Sequence, residues 1–358
     1  MSSSDPAPPT PAGPPRWLHA LAVLAVCAAL PLLLLGAEVT TKGEGVALVD
    51  KQGMRSPWHL IILLCSREFW AKGPAHVLPI LIEHGHRLFG WLVGLLAILL
   101  AVGLWRRDPR RWVRWLGVAA LAAVAIQGLL GAFRVQVAHL VGPELAFVHG
   151  CFAQIAFALL VATAFATSRA WTREAGLPVP GAALRLWCSL AIVLVYGQIV
   201  LGALVRRTEK RLAPRLHLLV AFAVAAVVVL LVRAAFAQDR GRKLPRRLGA
   251  GLIFLLAGQV FLGLESWLTR YRTESVREHT ILRPLMASKP SAPGLRGVGW
   301  DGLLRAIYAD PGFMRSLHFL VGAMLFALVV SMTLYAYRGL AVSAGRQPVS
   351  APRLEGAA

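Results

Sequence analysis

Eight stretches of this chain, roughly residues 17–36, 77–105, 115–134, 144–168, 185–205, 215–235, 248–268 and 315–337, run apolar for some twenty residues or more. A helix rises about 1.5 Å per residue, so each stretch is long enough to cross the roughly 30 Å hydrocarbon core of a bilayer. A lone segment there satisfies its backbone N–H and C=O groups only as a helix. Composition agrees, since 57% of the 358 residues are hydrophobic and 15% charged. The expectation is an all-α, polytopic membrane protein of eight transmembrane helices, and the even count puts both termini on one side.

The first segment follows Arg16 and has an Ala-rich core, so a cleaved signal peptide has to be weighed. Its removal would leave seven helices and break the pairing described below. Residues 1–16 and 338–358 are Pro, Ser and Ala tracts that read as disordered tails. The net charge of +21 would point to nucleic acid in a soluble chain. Here the bases flank membrane helices, so anionic headgroups of the lipid bilayer are the expected partner and nucleic acid is not. Lys and Arg divide almost evenly between the two faces, and the positive-inside rule decides only when short loops are weighted. The compact, almost acid-free "RRDPRRWVR" and "RAAFAQDRGRKLPRR" then place both termini in the cytoplasm of a cell with the chain in its plasma or inner membrane.

Four segments end in a related phrase: "LLGAEV" at 34–39, "LLGAFRV" at 129–135, "VLGALV" at 200–205 and "FLGLES" at 261–266. Gln127, Gln198 and Gln259 precede three of them. Each phrase closes an odd-numbered segment, and the even-numbered segment after it has a histidine near its start: His86, His149, His217 and His318. The chain therefore reads as two pseudo-repeated four-helix bundles, 17–168 and 185–337, joined by a linker at 169–184. Leu-Gly pairs are in general devices for close helix packing, but four recurrences in register set these apart. Odd and even helices run in opposite directions, so the four histidines fall at one depth, near the face opposite the termini.

A lone histidine in a helix is more often a hydrogen-bonded structural residue than a ligand. Ionisable side chains in a bilayer cost on the order of a few kcal/mol each and normally face a site, so four at one depth point to ligation. His84 is two positions from His86 on a different helical face, and His19, His59, His76, His139 and His279 sit at helix ends or in loops. Zinc would need three or four ligands about one point, whereas these imidazoles come one per helix. Haem iron takes two axial ligands from opposite sides, which facing helices of a bundle supply. Two halves would then hold two haems, bound non-covalently, because no Cys-x-x-Cys-His occurs. Haem propionates need cations, and Arg87, Arg215 and Arg315 stand beside three of the histidines. The plainer reading of these arginines is that they face headgroups.

At this point the residues resemble the haem A synthases, eight-helix enzymes that convert haem O to haem A for terminal oxidases. The resemblance covers about residues 17–337 and rests on "EHGHR" at 83–87, "QGLLGAFRV" followed by "FVHGCFAQ", "GQIVLGALV" followed by "RLHLLVAFA", and "GQVFLGLES" followed by "SLHFLVGAM". It implies that His217 and His318 hold a resident haem b, and that His86 and His149 face the substrate, haem O. It also implies oxidation of a ring methyl to a formyl group, through successive hydroxylations and loss of water. Glu83, one turn before His86, would position water, move protons or stabilise developing positive charge. The positions three before His217 and His318 are Pro214 and Arg315, so the acid marks out the N-terminal half.

Two departures accompany the resemblance. Many relatives carry a cysteine pair in the first outer loop. This chain has only Cys65 there, with Cys27, Cys151 and Cys188 in helices, which weakens a dithiol relay. The loop at 269–314 is long, and its "DGLLRAIYADPGFMRSLHF" end reads as an amphipathic helix on the membrane before the last span. A haem O synthase and terminal oxidase assembly factors are the partners implied, and a homo-oligomer is compatible with this reading. Two other classes fit the residues: a di-haem cytochrome passing electrons from quinol, and a haem carrier or assembly factor.

Overall fold

The computed structural model describes residues 15–42, 65–71, 74–136, 144–173, 180–206, 212–238, 242–271 and 311–338. Among them are eight helices long and apolar enough to cross a membrane. They are α1 (Arg16–Lys42), α2 (Pro74–Arg107), α3 (Arg111–Gln136), α4 (Glu144–Thr167), α5 (Ala182–Val205), α6 (Leu212–Phe236), α7 (Lys243–Tyr271) and α8 (Pro311–Tyr337). Short turns of helix at Arg67–Ala71 and Arg169–Arg173 accompany them. The protein is thus a multi-pass, all-α membrane protein. The two tails and nearly all of the 269–314 loop, including most of its expected amphipathic helix, lie outside the described residues.

Prolines mark the helix starts. Pro74 and Pro311 open α2 and α8, while Pro214 and Pro245 fall in the first turns of α6 and α7. The first turn's N–H groups have no intrahelical acceptor, so a residue lacking one is tolerated there.

Within the N-terminal half the packing order closes on itself, α1 on α2, α2 on α3, α3 on α4 and α4 on α1. The C-terminal half repeats it with α5 to α8. The halves meet where α8 packs on α4 and α1, and where α4 touches α5. One apolar core runs through this junction, from Ala25, Ala28, Ala29 and Leu33 of α1 through Phe157 and Leu160 of α4 to Phe326, Val329 and Met332 of α8. Alanine at the crossing points lets backbones approach closely, which is what drives association where lipid is as apolar as the side chains. Trp91, Phe222 and Phe254 point outward from the bundle and are largely exposed, as lipid-facing side chains are.

The corner between α2 and α3 is tied down by charge. The side chain of Asp108 is fully buried and accepts from Arg110 at 2.9 Å (Nε) and 2.7 Å (Nη2). Arg110 Nη1 also donates to the carbonyl of Ala166 at 2.9 Å, satisfying an acceptor at the end of α4. Nearby, His19 Nδ1 lies 3.1 Å from the Ala164 carbonyl, so this histidine pins α1 to α4 at the end away from the other four.

Candidate functional site

Each recurring glycine is the seat of the histidine on the next helix. A Cβ built on Gly36 would stand 2.7 Å from His86 Cε1, and on Gly131 3.2 Å from His149 Cε1. On Gly202 and Gly263 it would stand 3.0 Å from Cε1 of His217 and His318. The Cε1 corner of each imidazole comes so close to the neighbouring helix that a Cβ would clash at Gly36 and crowd the ring at the other three. All four sequence-predicted histidines therefore occupy one repeated environment.

The glutamines belong to the same device. They stand four residues before the glycine, one turn along the same face. Gln127 donates its amide to the His149 carbonyl at 2.9 Å and lies 3.2 Å from His149 Nε2. Gln198 donates to the His217 carbonyl at 2.7 Å. Gln259 lies 3.2 Å from His318 Nε2, and its backbone carbonyl is 3.1 Å from His318 Nδ1. A carbonyl only accepts, so Nδ1 of His318 carries the proton and Nε2 keeps its lone pair. The matching position on α1 is Leu32, whose carbonyl takes the Nδ1 proton of His86 at 3.0 Å. Donating one ring N–H to a backbone carbonyl is how ligating histidines are usually held with the other nitrogen aimed at a metal. The side-chain oxygens of Gln127, Gln198 and Gln259 are buried without a hydrogen-bond partner. Leaving such an acceptor bare costs about 1–3 kcal/mol, so each calls for a water or a ligand group.

The ring centres of His217 and His318 are 6.3 Å apart with planes at 77°. Among the described residues, no three of His, Cys, Asp or Glu converge as a site for a bare metal ion. The C-terminal site is thus a pair of imidazoles rather than a cluster of ligands.

In the N-terminal half Glu83 is buried and forms an ion pair with Arg87, Oε1 to Nη2 at 2.6 Å. Both occupy the turn of α2 that carries His86. Of the other predicted cations, Arg215 is exposed, whereas Arg315 is half-buried on the turn of α8 before His318. The C-terminal half is not devoid of acids either: Glu265, two residues beyond Gly263, is buried on α7. None of the four cysteines is in a disulfide.

Sequence reading missed two things. It noted the glutamines without a role, although their constant spacing from the glycines was the available signal. It also passed over Arg206, which follows α5 and lies with its guanidinium 5.2 Å from the centre of the Phe319 ring.

Fold and site together define a polytopic helical membrane protein with one histidine seat per helix pair, in two four-helix halves. A family model described as cytochrome oxidase assembly protein matches residues 77–216, from α2 to the residue before His217. The chain is 30% identical over 202 residues to a haem A synthase of Shouchella clausii, covering 55% of this chain and 62% of the relative. It is 30% identical over 200 residues to one of Alkalihalophilus pseudofirmus, with the same shares covered. The match to one of Geobacillus kaustophilus is 29% over 208 residues, covering 55% and 58%. The chain is thus similar to haem A synthases over a little more than half of its length. It spans about three fifths of the length of these curated relatives.

Proposed function

We propose that this protein is a haem A synthase, an oxidoreductase that takes haem O as substrate and oxidises one ring methyl to a formyl group. The observation that carries this reading is the His217–His318 pair. Two imidazoles on opposite sides of one metal, each bonded at about 2 Å, have ring centres about 6 Å apart, and the pair stands at 6.3 Å. The Nδ1 proton of His318 is held by the Gln259 carbonyl, so the lone pair is on Nε2, where the Gln259 amide donates at 3.2 Å and would turn aside for an iron. His217 and His318 therefore fit a resident, non-covalent haem b, with Arg315 as a partner for its propionates; Arg215, expected beside it, is exposed. A haem there supplies one-electron redox chemistry.

His86 and His149 occupy the same kind of seat in the other half and would hold haem O, with Arg87 near its carboxylates. What sets this half apart is Glu83, a buried carboxylate on the histidine's own helix and one turn before it, whereas the buried acid of the other half, Glu265, stands on α7. The 2.6 Å contact with Arg87 holds the Glu83 carboxylate in place. This carboxylate would take protons as water is added to the methyl carbon, or oppose positive charge developing there. Successive hydroxylations each remove two electrons and two protons, and loss of water from the final diol leaves the formyl group. The termini are cytoplasmic in this reading and the histidines lie near the outer face. A haem O synthase would supply the substrate, and oxidase assembly factors would receive the product.

Extraction and identification of the pigment on purified protein tests the proposal. The enzyme should carry haem b together with haem O, haem A or hydroxylated forms between them. Two equivalents of haem b alone would identify a di-haem cytochrome instead, and haem O that is never oxidised would identify a carrier.

A further inference from the structure

Arg206 caps the C-terminal end of α5 and continues its histidine seat. Gln198, Gly202 and Arg206 are spaced by four, so they lie one above another on a single helical face. The first two hold His217, through the 2.7 Å bond to its carbonyl and the 3.0 Å approach to its ring. Arg206 is the next position outward. The matching positions in the other three seats are Thr40, Val135 and Trp267, so only this seat ends in a cation.

From the opposite side of the C-terminal half, Arg315 stands one turn outward from His318. Arg206 Nη2 donates to the Arg315 carbonyl at 3.1 Å. Its guanidinium packs over Phe319, the neighbour of His318. Arg315 Nε is buried and has no hydrogen-bond partner. Two guanidiniums thus gather just outward of an imidazole pair. Burial, and after it the charge of Arg315, push Arg206 down to about 10, with Glu38 of α1 pulling the other way. It stays charged at neutral pH beside a second cation, and the buried, unpartnered Nε of Arg315 leaves a donor there for an anionic ligand.

We infer that Arg206 and Arg315 form a two-guanidinium clamp for the paired carboxylates of a tetrapyrrole held between His217 and His318. This rests on the bis-histidine haem reading above. The planar forks suit carboxylates, and the flanking aromatic ring holds one of them in plane. An anionic lipid headgroup offers similar chemistry, but it would not sit both against the end of α5 that seats His217 and against the turn of α8 that carries His318.

The test uses full-length protein in detergent with Arg206→Gln, Arg206→Lys and, separately, His217→Ala. Haem b per polypeptide after washing and the midpoint potential of the bound haem are measured for each. Arg206→Gln is expected to hold haem roughly tenfold less tightly. Its remaining haem should titrate at a lower potential, because a nearby positive charge favours the reduced iron. Arg206→Lys keeps the charge and loses the fork, so its potential should stay near wild type while retention falls. Wild-type retention and potential in Arg206→Gln overturn the clamp. Loss of co-purifying anionic lipid with an unmoved potential overturns it in favour of a headgroup site. Should Arg206→Gln fail to accumulate, full haem retention by Arg206→Lys overturns it as well. Haem b retained by His217→Ala, or absent from the wild type, strikes the bis-histidine reading itself and is distinguishable from every result above.

Discussion

At the scale of single residues, the glycines and the acid on α2 carry the sharpest expectations. A Cβ on Gly36 would meet the His86 ring at 2.7 Å, closer than side-chain carbons tolerate. Gly36→Ala must therefore move the imidazole or part α1 from α2, and overpacking of this kind costs about 1–3 kcal/mol. Haem A output should fall in this variant while haem b content stays at the wild-type level, both read from extracted pigment. Glu83 carries a different expectation because its ion pair with Arg87 has two meanings. Glu83→Gln keeps the shape and the capacity to accept from Arg87 but loses the ionisable group. Haem A formation should drop by at least about tenfold, within the range lost when a general acid–base group is removed. Unchanged output would mean that Glu83 only anchors Arg87. The pair could be suspected from the spacing of "EHGHR", whereas its 2.6 Å contact is a result of rotamers that spacing does not specify.

Elements were legible as spans and less so as ends. The apolar run at 17–36 becomes a helix to Lys42, and the run at 248–268 becomes Lys243–Tyr271. Hydropathy marks the part of a helix inside hydrocarbon, whereas the hydrogen-bonded ladder continues into the polar interface. The corner after α2 was read only as a basic loop that orients the chain. In the structure Asp108 and Arg110 make it a clasp that also holds the last turn of α4. Asp108→Asn should lower stability by about 1–2 kcal/mol, since the acid is fully buried but Arg110 is partly solvated. The check is a lower thermal midpoint of the detergent-solubilised protein, with haem content per folded polypeptide unchanged. An undiminished midpoint would show that the bond from Arg110 to the Ala166 carbonyl is enough by itself.

For the whole molecule the expectation concerns division of labour between the halves. Both close in the same packing order and both seat two histidines, so geometry permits two equivalent sites. The departures from symmetry are few: Glu83 on α2, Leu32 where the other seats have glutamine, and Arg206 at the end of α5. His86→Ala and His149→Ala should abolish haem A formation and leave most haem b bound. His217→Ala and His318→Ala should remove the low-spin haem b signal, because a six-coordinate iron needs both imidazoles. Pigment analysis of the four variants beside wild type decides the matter, and loss of haem b from the first two with normal haem A output would reverse the assignment.

Sequence by itself determined the number of spans, the pairing of helices and the identity of the four histidines. Each of these is written in a period or a run length, and the bilayer enforces both by forbidding an unpaired backbone. Tertiary structure alone decided what the repeated words mean. Glycine reads as a packing residue until the imidazole of the following helix is found against it. Glutamine reads as a stray polar residue until its amide is found on the histidine carbonyl. Arg206 lies 112 residues before His318 in the sequence, and only the closing of α5 against α8 brings its guanidinium to the ring beside that histidine. Contacts between helices depend on rotation and depth as well as on order, and those are set by how the faces of all eight fit together rather than by any one of them.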